Sequence, residues 1–259
     1  MMKFAAARGN VRIAYDVLGS GSPVMMLHDF GQSSGFWYEA GCVKACVARG
    51  RQVVLVDLRG HGDSSEPVDA TAYAPVHCGW DVIAVLDHAG IGRAEILGYG
   101  VGGRIALCLA AFAPDRVHAV AAGAAHPFAE RAQRWSEANG LEPWVSLIKK
   151  KGAKVSHPTP SDPAILADAM VSDWPDIADA VKRSGAPILL FVGKDDPRYP
   201  LVLSFAEQSG AQVIVSPKHD GTAAGTAEFL PRILDFFEAP QESAGANGVP
   251  PCLWSGSWP

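Results

Sequence analysis

The strongest constraint on the fold is a regular alternation of short apolar runs with segments of helical spacing. Connections of this kind join parallel strands and leave helices on both faces of a sheet. The predicted strands are Val11–Leu18, Val24–Leu27, Val53–Val56, Glu95–Leu97, Val117–Ala122, Ile188–Val192 and Val213–Val215. The predicted helices are Phe36–Ala48, Val76–Leu86, Val101–Phe112, Leu201–Gln208 and Thr226–Phe237. We therefore expect an α/β fold with a mostly parallel central sheet.

The middle of the chain interrupts this alternation. Between residues 126 and 185 the strand signal disappears, and three tryptophans lie among helical segments and loops. After residue 239 the composition changes to Gln, Glu, Ser, Gly, Asn and Pro, which is typical of a tail. We predict a core formed by residues 1–125 and 186–238, a helical cap at 126–185 and a flexible C-terminal tail at 239–259.

Composition excludes several classes of protein. The 259 residues are 48% hydrophobic and 19% charged, which is typical of a folded domain. The net charge of −5 offers no basic surface for nucleic acid. The longest apolar run, Ile105–Ala113, is shorter than the roughly 20 residues of a membrane helix, and the N-terminus has no signal-peptide pattern. Five cysteines without C-x-x-C spacing suggest free thiols in a reducing compartment, so we expect a cytoplasmic location.

Polar loops follow the predicted strands. They are His28-Asp29-Phe30-Gly31, Asp57-Leu58-Arg59-Gly60-His61-Gly62-Asp63-Ser64, Gly98-Tyr99-Gly100-Val101-Gly102-Gly103, Gly193-Lys194-Asp195-Asp196-Pro197 and Lys218-His219-Asp220-Gly221. In an open α/β sheet, ligands bind at the carboxyl ends of the strands. We therefore expect these loops to form one site.

This set of loops, in this order, resembles the α/β-hydrolase family over about residues 11–238. The D-x-R-G-H-G-x-S stretch at 57–64 is one of its more specific local marks, and residues 98–102 are similar to its G-x-S-x-G nucleophile elbow. The insertion also matches the position of the family's cap. The resemblance implies an α/β-hydrolase fold, a small-molecule ester or related carboxylic substrate, and no metal or organic cofactor.

The sequence departs from the family at the nucleophile, where Gly100 stands in place of serine. Glycine keeps the strained turn but removes the attacking oxygen. The resemblance assigns the catalytic histidine to His219 and the acid to Asp196, with Asp195 as the alternative. A small space left by the missing side chain could hold water, on which His219 would act as general base.

The same resemblance assigns the oxyanion hole to the backbone N–H groups of Phe30 and Val101. The family's H-G-x-G loop reads His28-Asp29-Phe30-Gly31, so Asp29 replaces a glycine. A carboxylate pointing into an oxyanion hole would oppose anion stabilisation. We therefore expect Asp29 to point away. His28, Asp29 and Tyr99 are the candidate substrate-binding residues.

The loop at 57–64 is expected to have a structural role. Asp57, Arg59 and His61 are predicted to form a polar turn that links strand ends behind the site. The five histidines outside these loops have no spacing typical of a metal site.

Three functions remain open at this stage. The first is a hydrolase scaffold whose serine is missing, by lineage or by engineering. The second is a lyase, cyclase or water-mediated hydrolase that uses His219 and Asp196 without a covalent step. The third is a non-catalytic small-molecule binder.

A dinucleotide site is the weaker alternative. Gly98, Gly100 and Gly103 also spell G-x-G-x-x-G, the dinucleotide fingerprint. Two strand–helix units precede this motif, however, and the next strand ends without the expected carboxylate.

Overall fold

A computed structural model of the chain describes residues 2–129, 174–217 and 223–239. The described residues leave out most of the predicted cap, residue 219, and the predicted tail after residue 239. In the described part of the chain, the structure contains no helix that is long and apolar enough to cross a membrane.

The core of the fold is an eight-stranded sheet in the order β1-β2-β4-β3-β5-β6-β7-β8. The first two strands pair antiparallel, and β2 also runs antiparallel to β4, whereas all other neighbours are parallel. The strands are β1 (Lys3–Ala7), β2 (Val11–Gly19), β3 (Pro23–Leu27), β4 (Gln52–Val56), β5 (Ala94–Tyr99), β6 (Val117–Gly123), β7 (Ile188–Gly193) and β8 (Gln212–Ser216).

Helices cover both faces of this sheet. They are α1 (Gly35–Glu39), α2 (Cys42–Ala48), α3 (Pro75–His88), α4 (Val101–Phe112), α5 (Ala178–Ser184), α6 (Tyr199–Ser209) and α7 (Ala223–Glu238), with short 3₁₀ turns at Ala70–Tyr73 and Pro114–Arg116. Because successive strand side chains point to opposite faces, Met25 joins the core under α3 to α6. Its neighbour Met26 joins the core under α1, α2 and α7.

The predicted fold class is confirmed, and each predicted strand and helix corresponds to an observed element within a few residues. Two details differ. The segment Phe36–Ala48 forms two helices, because Gly41 takes a left-handed conformation (φ 72°) between them. Strand β1 was missed, because its short, alanine-rich and mostly exposed sequence lacks the pattern of a buried strand.

The parallel register fixes where the functional loops begin. Leu27, the last residue of β3, pairs with Val56 of β4 and with Gly98 of β5. Gly98 in turn pairs with Ala122 of β6. The loops after β3, β4, β5 and β6 therefore start side by side at one edge of the sheet.

A buried ion pair anchors the loop after β4 to helix α3. Arg59 Nε and Nη2 each donate a hydrogen bond of 2.6 Å to the carboxylate of Asp81. Arg59 also donates to the carbonyl oxygens of Ala72 and His77. Both charged side chains are only 2% exposed, so each depends on the other for compensation of its charge. The structural role predicted for Arg59 is confirmed.

Replacing Arg59 by methionine leaves the Asp81 carboxylate buried without its partner. We expect Arg59→Met to lower the free energy of unfolding by about 3–5 kcal/mol, measured by chemical denaturation. Lys182→Met is the control, because its partner Asp179 is 76% exposed, and a loss below about 1 kcal/mol is expected there. Equal losses of unfolding free energy in the two variants would contradict the stabilising role of the buried Arg59–Asp81 pair.

Candidate active site

The turn between β5 and α4 has the geometry of a nucleophile elbow. Gly100 has φ 56° and ψ −118°, a conformation that side-chain-bearing residues rarely adopt. Its N–H donates to Gly123 O of β6 at 2.9 Å, and its carbonyl accepts from Arg104 N in the first turn of α4. Close packing continues at Gly102, where an added Cβ would overlap the carbonyl of Leu27. The chain therefore forms the sharp strand-to-helix turn with a glycine, which has no side chain, at its apex.

The carboxylate of Asp29 occupies the place that a side chain at position 100 would take. A Cβ added to Gly100 would overlap Oδ1 and Cγ of Asp29 and lie 2.7 Å from its Oδ2. Asp29 Oδ1 accepts a hydrogen bond of 2.9 Å from the N–H of Val101, the first residue of α4. That N–H is the donor that the resemblance assigns to the oxyanion hole.

The expectation that Asp29 points away from the hole is therefore wrong. A helix N-terminus has unpaired N–H groups and attracts negative charge, and the absence of a side chain at Gly100 leaves room for the carboxylate. The space that was expected to hold water contains this carboxylate instead.

His28 fixes the loop that carries Asp29. Its Nε2 accepts a hydrogen bond of 3.0 Å from Leu58 N–H, so its Nδ1 carries the proton and donates to the carbonyl of Asp29 at 2.7 Å. The side chain is fully buried, and burial lowers the pKa of His28. Both ring nitrogens thus bind backbone groups, and the ring supports the loop from beneath.

His61 also fixes the loop after β3, at Gly31. Its Nε2 accepts from Gly31 N–H at 3.0 Å, and its Nδ1 donates to Arg59 O at 2.9 Å. The ring packs edge-on against His28 and Phe30, at centroid distances of 5.1 and 5.5 Å. Burial, reinforced by the adjacent His28, lowers the pKa of His61 to about 4. The predicted structural role of His61 is confirmed.

Asp57 completes the link between the loops. Its Oδ1 accepts from Ser34 N–H at 2.8 Å and its Oδ2 from Asp63 N–H at 3.0 Å. It thereby joins the loop after β4 to the segment that enters α1. This confirms the structural role predicted for Asp57.

Asp196 lies in the turn after β7. Its Oδ1 accepts from Arg198 N–H at 2.8 Å, and its Oδ2 lies 3.9 Å from Arg198 Nη1. The Asp196 side chain is 12% exposed, whereas Asp195 is an exposed residue. Arg198 Nη1 also donates to Ala124 O at 3.0 Å, which connects this turn to the end of β6. Asp196 is therefore the better enclosed of the two candidate acids.

The remaining candidate site residues, Tyr99, Phe30 and His219, have different surroundings. Tyr99 is 3% exposed and packs against Phe36 and Phe191, at ring centroid distances of 6.0 and 6.1 Å. Its surroundings are those of a core side chain. Phe30 is partly buried beside His61. His219 lies outside the described residues.

His126 is a further buried polar residue at this edge of the sheet, and its sequence pattern did not mark it as a site residue. It follows β6 at the same edge of the sheet, is 1% exposed, and its Nδ1 has no hydrogen-bond partner in the described part of the chain. Burial, together with the charges of Arg104 and Arg198, lowers the pKa of His126 to about 3. Its position after a parallel strand was the available signal. Across the described residues, His, Cys, Asp and Glu do not form a group of three that could hold a metal ion.

The buried histidines make the stability of the site sensitive to acid. His61 must be neutral to accept from Gly31, and its folded pKa of about 4 is below the ordinary 6.5. Its contribution is therefore complete above pH 6.5 and is lost as the pH falls towards 4. In His61→Gln, whose amide oxygen can accept the same N–H, we expect a shallower decline in the free energy of unfolding, by up to about 1.4 kcal/mol per pH unit. Identical pH profiles in both proteins would refute this.

The Asp29 carboxylate should hinder a serine introduced at position 100. Gly100→Ser alone forces that carboxylate off Val101 N–H and puts a side chain at positive φ, which costs about 1–3 kcal/mol. The double variant Asp29→Gly/Gly100→Ser removes the overlap. We expect a serine-directed phosphonate to label the double variant much faster than the single one. Equal labelling rates would mean that Asp29 does not occupy this position in solution.

Comparison with known proteins agrees with this architecture. A family model described as alpha/beta hydrolase fold matches residues 22–153, about half of the chain. An epoxide hydrolase of Caballeronia sordidicola is 35% identical over 115 residues, which cover 44% of this chain and 34% of the relative. A protein named as putative carbamate hydrolase RutD, of Azorhizobium caulinodans, is 32% identical over 112 residues, or 43% of this chain and 40% of the relative. The matches thus span well under half of the length of these curated relatives.

The similarity to solved structures is more extensive. A hydrolase from Pseudomonas aeruginosa superposes with a TM-score of 0.77 at 20% identity, covering 92% of this chain and 98% of that one. At this identity the likeness concerns the fold. Together with the matched family model, the sheet order and the elbow at Gly100, it shows that the chain belongs to the α/β-hydrolase fold family.

Proposed function

We propose that this protein hydrolyses a small organic molecule, with water activated by His219, which Asp196 orients, and without an acyl-serine intermediate. The observation that carries this proposal is the pair Gly100 and Asp29. No hydroxyl occupies the elbow, and a carboxylate instead accepts the hydrogen bond of Val101 N–H.

This arrangement argues against ordinary serine-type ester hydrolysis. Attack on an ester carbonyl creates an oxyanion, which needs preorganised N–H donors. Here the donor on Val101 already binds an anion, and a substrate oxyanion would have to displace it. The resemblance implies an ester or related carboxylic substrate. The names of the relatives add epoxides and carbamates, so these three classes define the substrates to be tested.

Support for Asp196 as the orienting acid comes from its surroundings. A carboxylate that holds a catalytic histidine must itself be fixed in position. Asp196 Oδ1 is held by Arg198 N–H, and the side chain is largely enclosed, whereas Asp195 faces solvent. Its place after β7, ahead of His219 in the chain, agrees with the family's order of acid and histidine.

A non-catalytic binder is the second candidate, and the same hydrogen bond favours it. Since Asp29 occupies the N–H that would stabilise an oxyanion, the site could retain ligands without converting them. We also propose a cytoplasmic location, which the free thiols of Cys42, Cys46, Cys78 and Cys108 support.

The test is turnover of a panel of aryl esters, aryl carbamates and styrene oxide as a function of pH. We expect His219→Ala to lower kcat by about 10²- to 10⁴-fold and to abolish the dependence of kcat on pH. Asp196→Asn should lower kcat more than Asp195→Asn. His118→Ala is the matched control, because it removes an exposed imidazole near the start of β6.

Two outcomes would overturn the proposal. Turnover that is unaffected by His219→Ala would remove this histidine as the general base. Saturable binding of panel compounds without product would favour the binder.

A further inference from the structure

We propose that Asp29 is the covalent nucleophile of this protein, supplied by the loop after β3 in place of an elbow side chain, and that its target is the saturated carbon of an epoxide. This inference rests on the hydrolase function proposed above and specifies its nucleophile and its substrate class.

The position of the carboxylate is the first argument. Asp29 Oδ1, Cγ and Oδ2 lie within 2.7 Å of where the Cβ of residue 100 would be, so the carboxylate fills the space of an elbow side chain. Carboxylates are established enzymatic nucleophiles. The bond from Val101 N–H holds Oδ1, and Oδ2 is the oxygen assigned to the attack. Asp29 is only partly buried, which is compatible with access by substrate.

The rigidity of the loop is the second argument. The carbonyl of Asp29 accepts from His28 Nδ1 at 2.7 Å and from Gln32 N–H at 3.2 Å. Its own N–H donates to Gln32 Oε1 at 3.3 Å. His61 holds Gly31 two residues further on. A nucleophile must be held by such supporting bonds to keep a reactive geometry.

The occupied donor selects the type of electrophile. If Asp29 attacked an ester carbonyl, the new oxyanion would compete with Asp29 for Val101 N–H. Attack on an epoxide carbon creates no acyl oxyanion. Oδ2 forms a bond to the ring carbon, the ring C–O bond breaks, and the released alkoxide takes a proton from water and leaves hydroxide. The product of this step is a hydroxyalkyl ester of Asp29.

The same hydrogen bond then serves the second step. Water, deprotonated by the general base of the proposed function, attacks Cγ of Asp29. The oxygen that becomes negative is Oδ1, which Val101 N–H already holds. The ester C–O bond of Cγ breaks, and the departing alkoxide receives the proton from the base. The new carboxylic acid gives its proton to the hydroxide of the first step. The sum is epoxide plus water to vicinal diol.

Isotope labelling tests this sequence directly. In a single turnover of styrene oxide with excess enzyme in H₂¹⁸O, the diol should receive its new oxygen from Asp29 and contain no ¹⁸O. The peptide that contains Asp29 should become heavier by one ¹⁸O. Asp29→Asn keeps the size and the acceptor for Val101 N–H, so it should fold normally, and we expect at least a roughly 10²-fold loss of diol formation. Asp63→Asn, at an exposed carboxylate in the loop after β4, is the control.

The remaining outcomes separate this inference from the function on which it rests. Label in the diol and none in Asp29 would overturn Asp29 as nucleophile and leave direct water activation standing. Turnover of esters or carbamates with dependence on His219, but none of styrene oxide, would overturn the epoxide assignment alone. Absence of turnover on the whole panel would overturn both proposals.

Discussion

The candidate site depends on the parallel register of β3, β4 and β5, which brings its loops together. Leu27, Val56 and Gly98 lie side by side, so three loops that are distant in sequence begin at one edge of the sheet. Buried polar side chains then connect these loops: His28 holds the loop after β4, Asp57 holds the entry to α1, and His61 holds Gly31. A shift of one register position would separate these partners, because the side chains would turn to the other face.

Within this frame, residues 29 and 100 are physically coupled. The family's pattern has a glycine where this chain has Asp29, and a nucleophilic serine where it has Gly100. The Asp29 carboxylate fills the space beside the start of α4, and a Cβ at position 100 would overlap it. The two departures from the pattern are therefore structurally coupled, because the carboxylate from the loop after β3 reaches the point that a side chain at position 100 would occupy.

Much of this architecture could be predicted from the sequence, because buried strands and the elbow have local patterns. The fold class, the strands after β1 and the structural roles of Asp57, Arg59 and His61 all had such signals. Strand β1 had none, since Ala5 is its only fully buried residue. The break between α1 and α2 depends on the left-handed backbone of Gly41, which a single glycine in the sequence does not predict. The orientation of Asp29 was mispredicted because it depends on the approach of a chain segment 72 residues away.

The carboxylate that caps the start of α4 also affects which small molecules can bind beside it. Asp29 is part of the chain, so its local concentration at Val101 N–H is far above that of any dissolved acid. A free carboxylic acid that approaches this point meets a second carboxylate and an N–H that is already bonded. The start of α4 should consequently bind dissolved carboxylates weakly, unlike a helix N-terminus whose N–H groups are free.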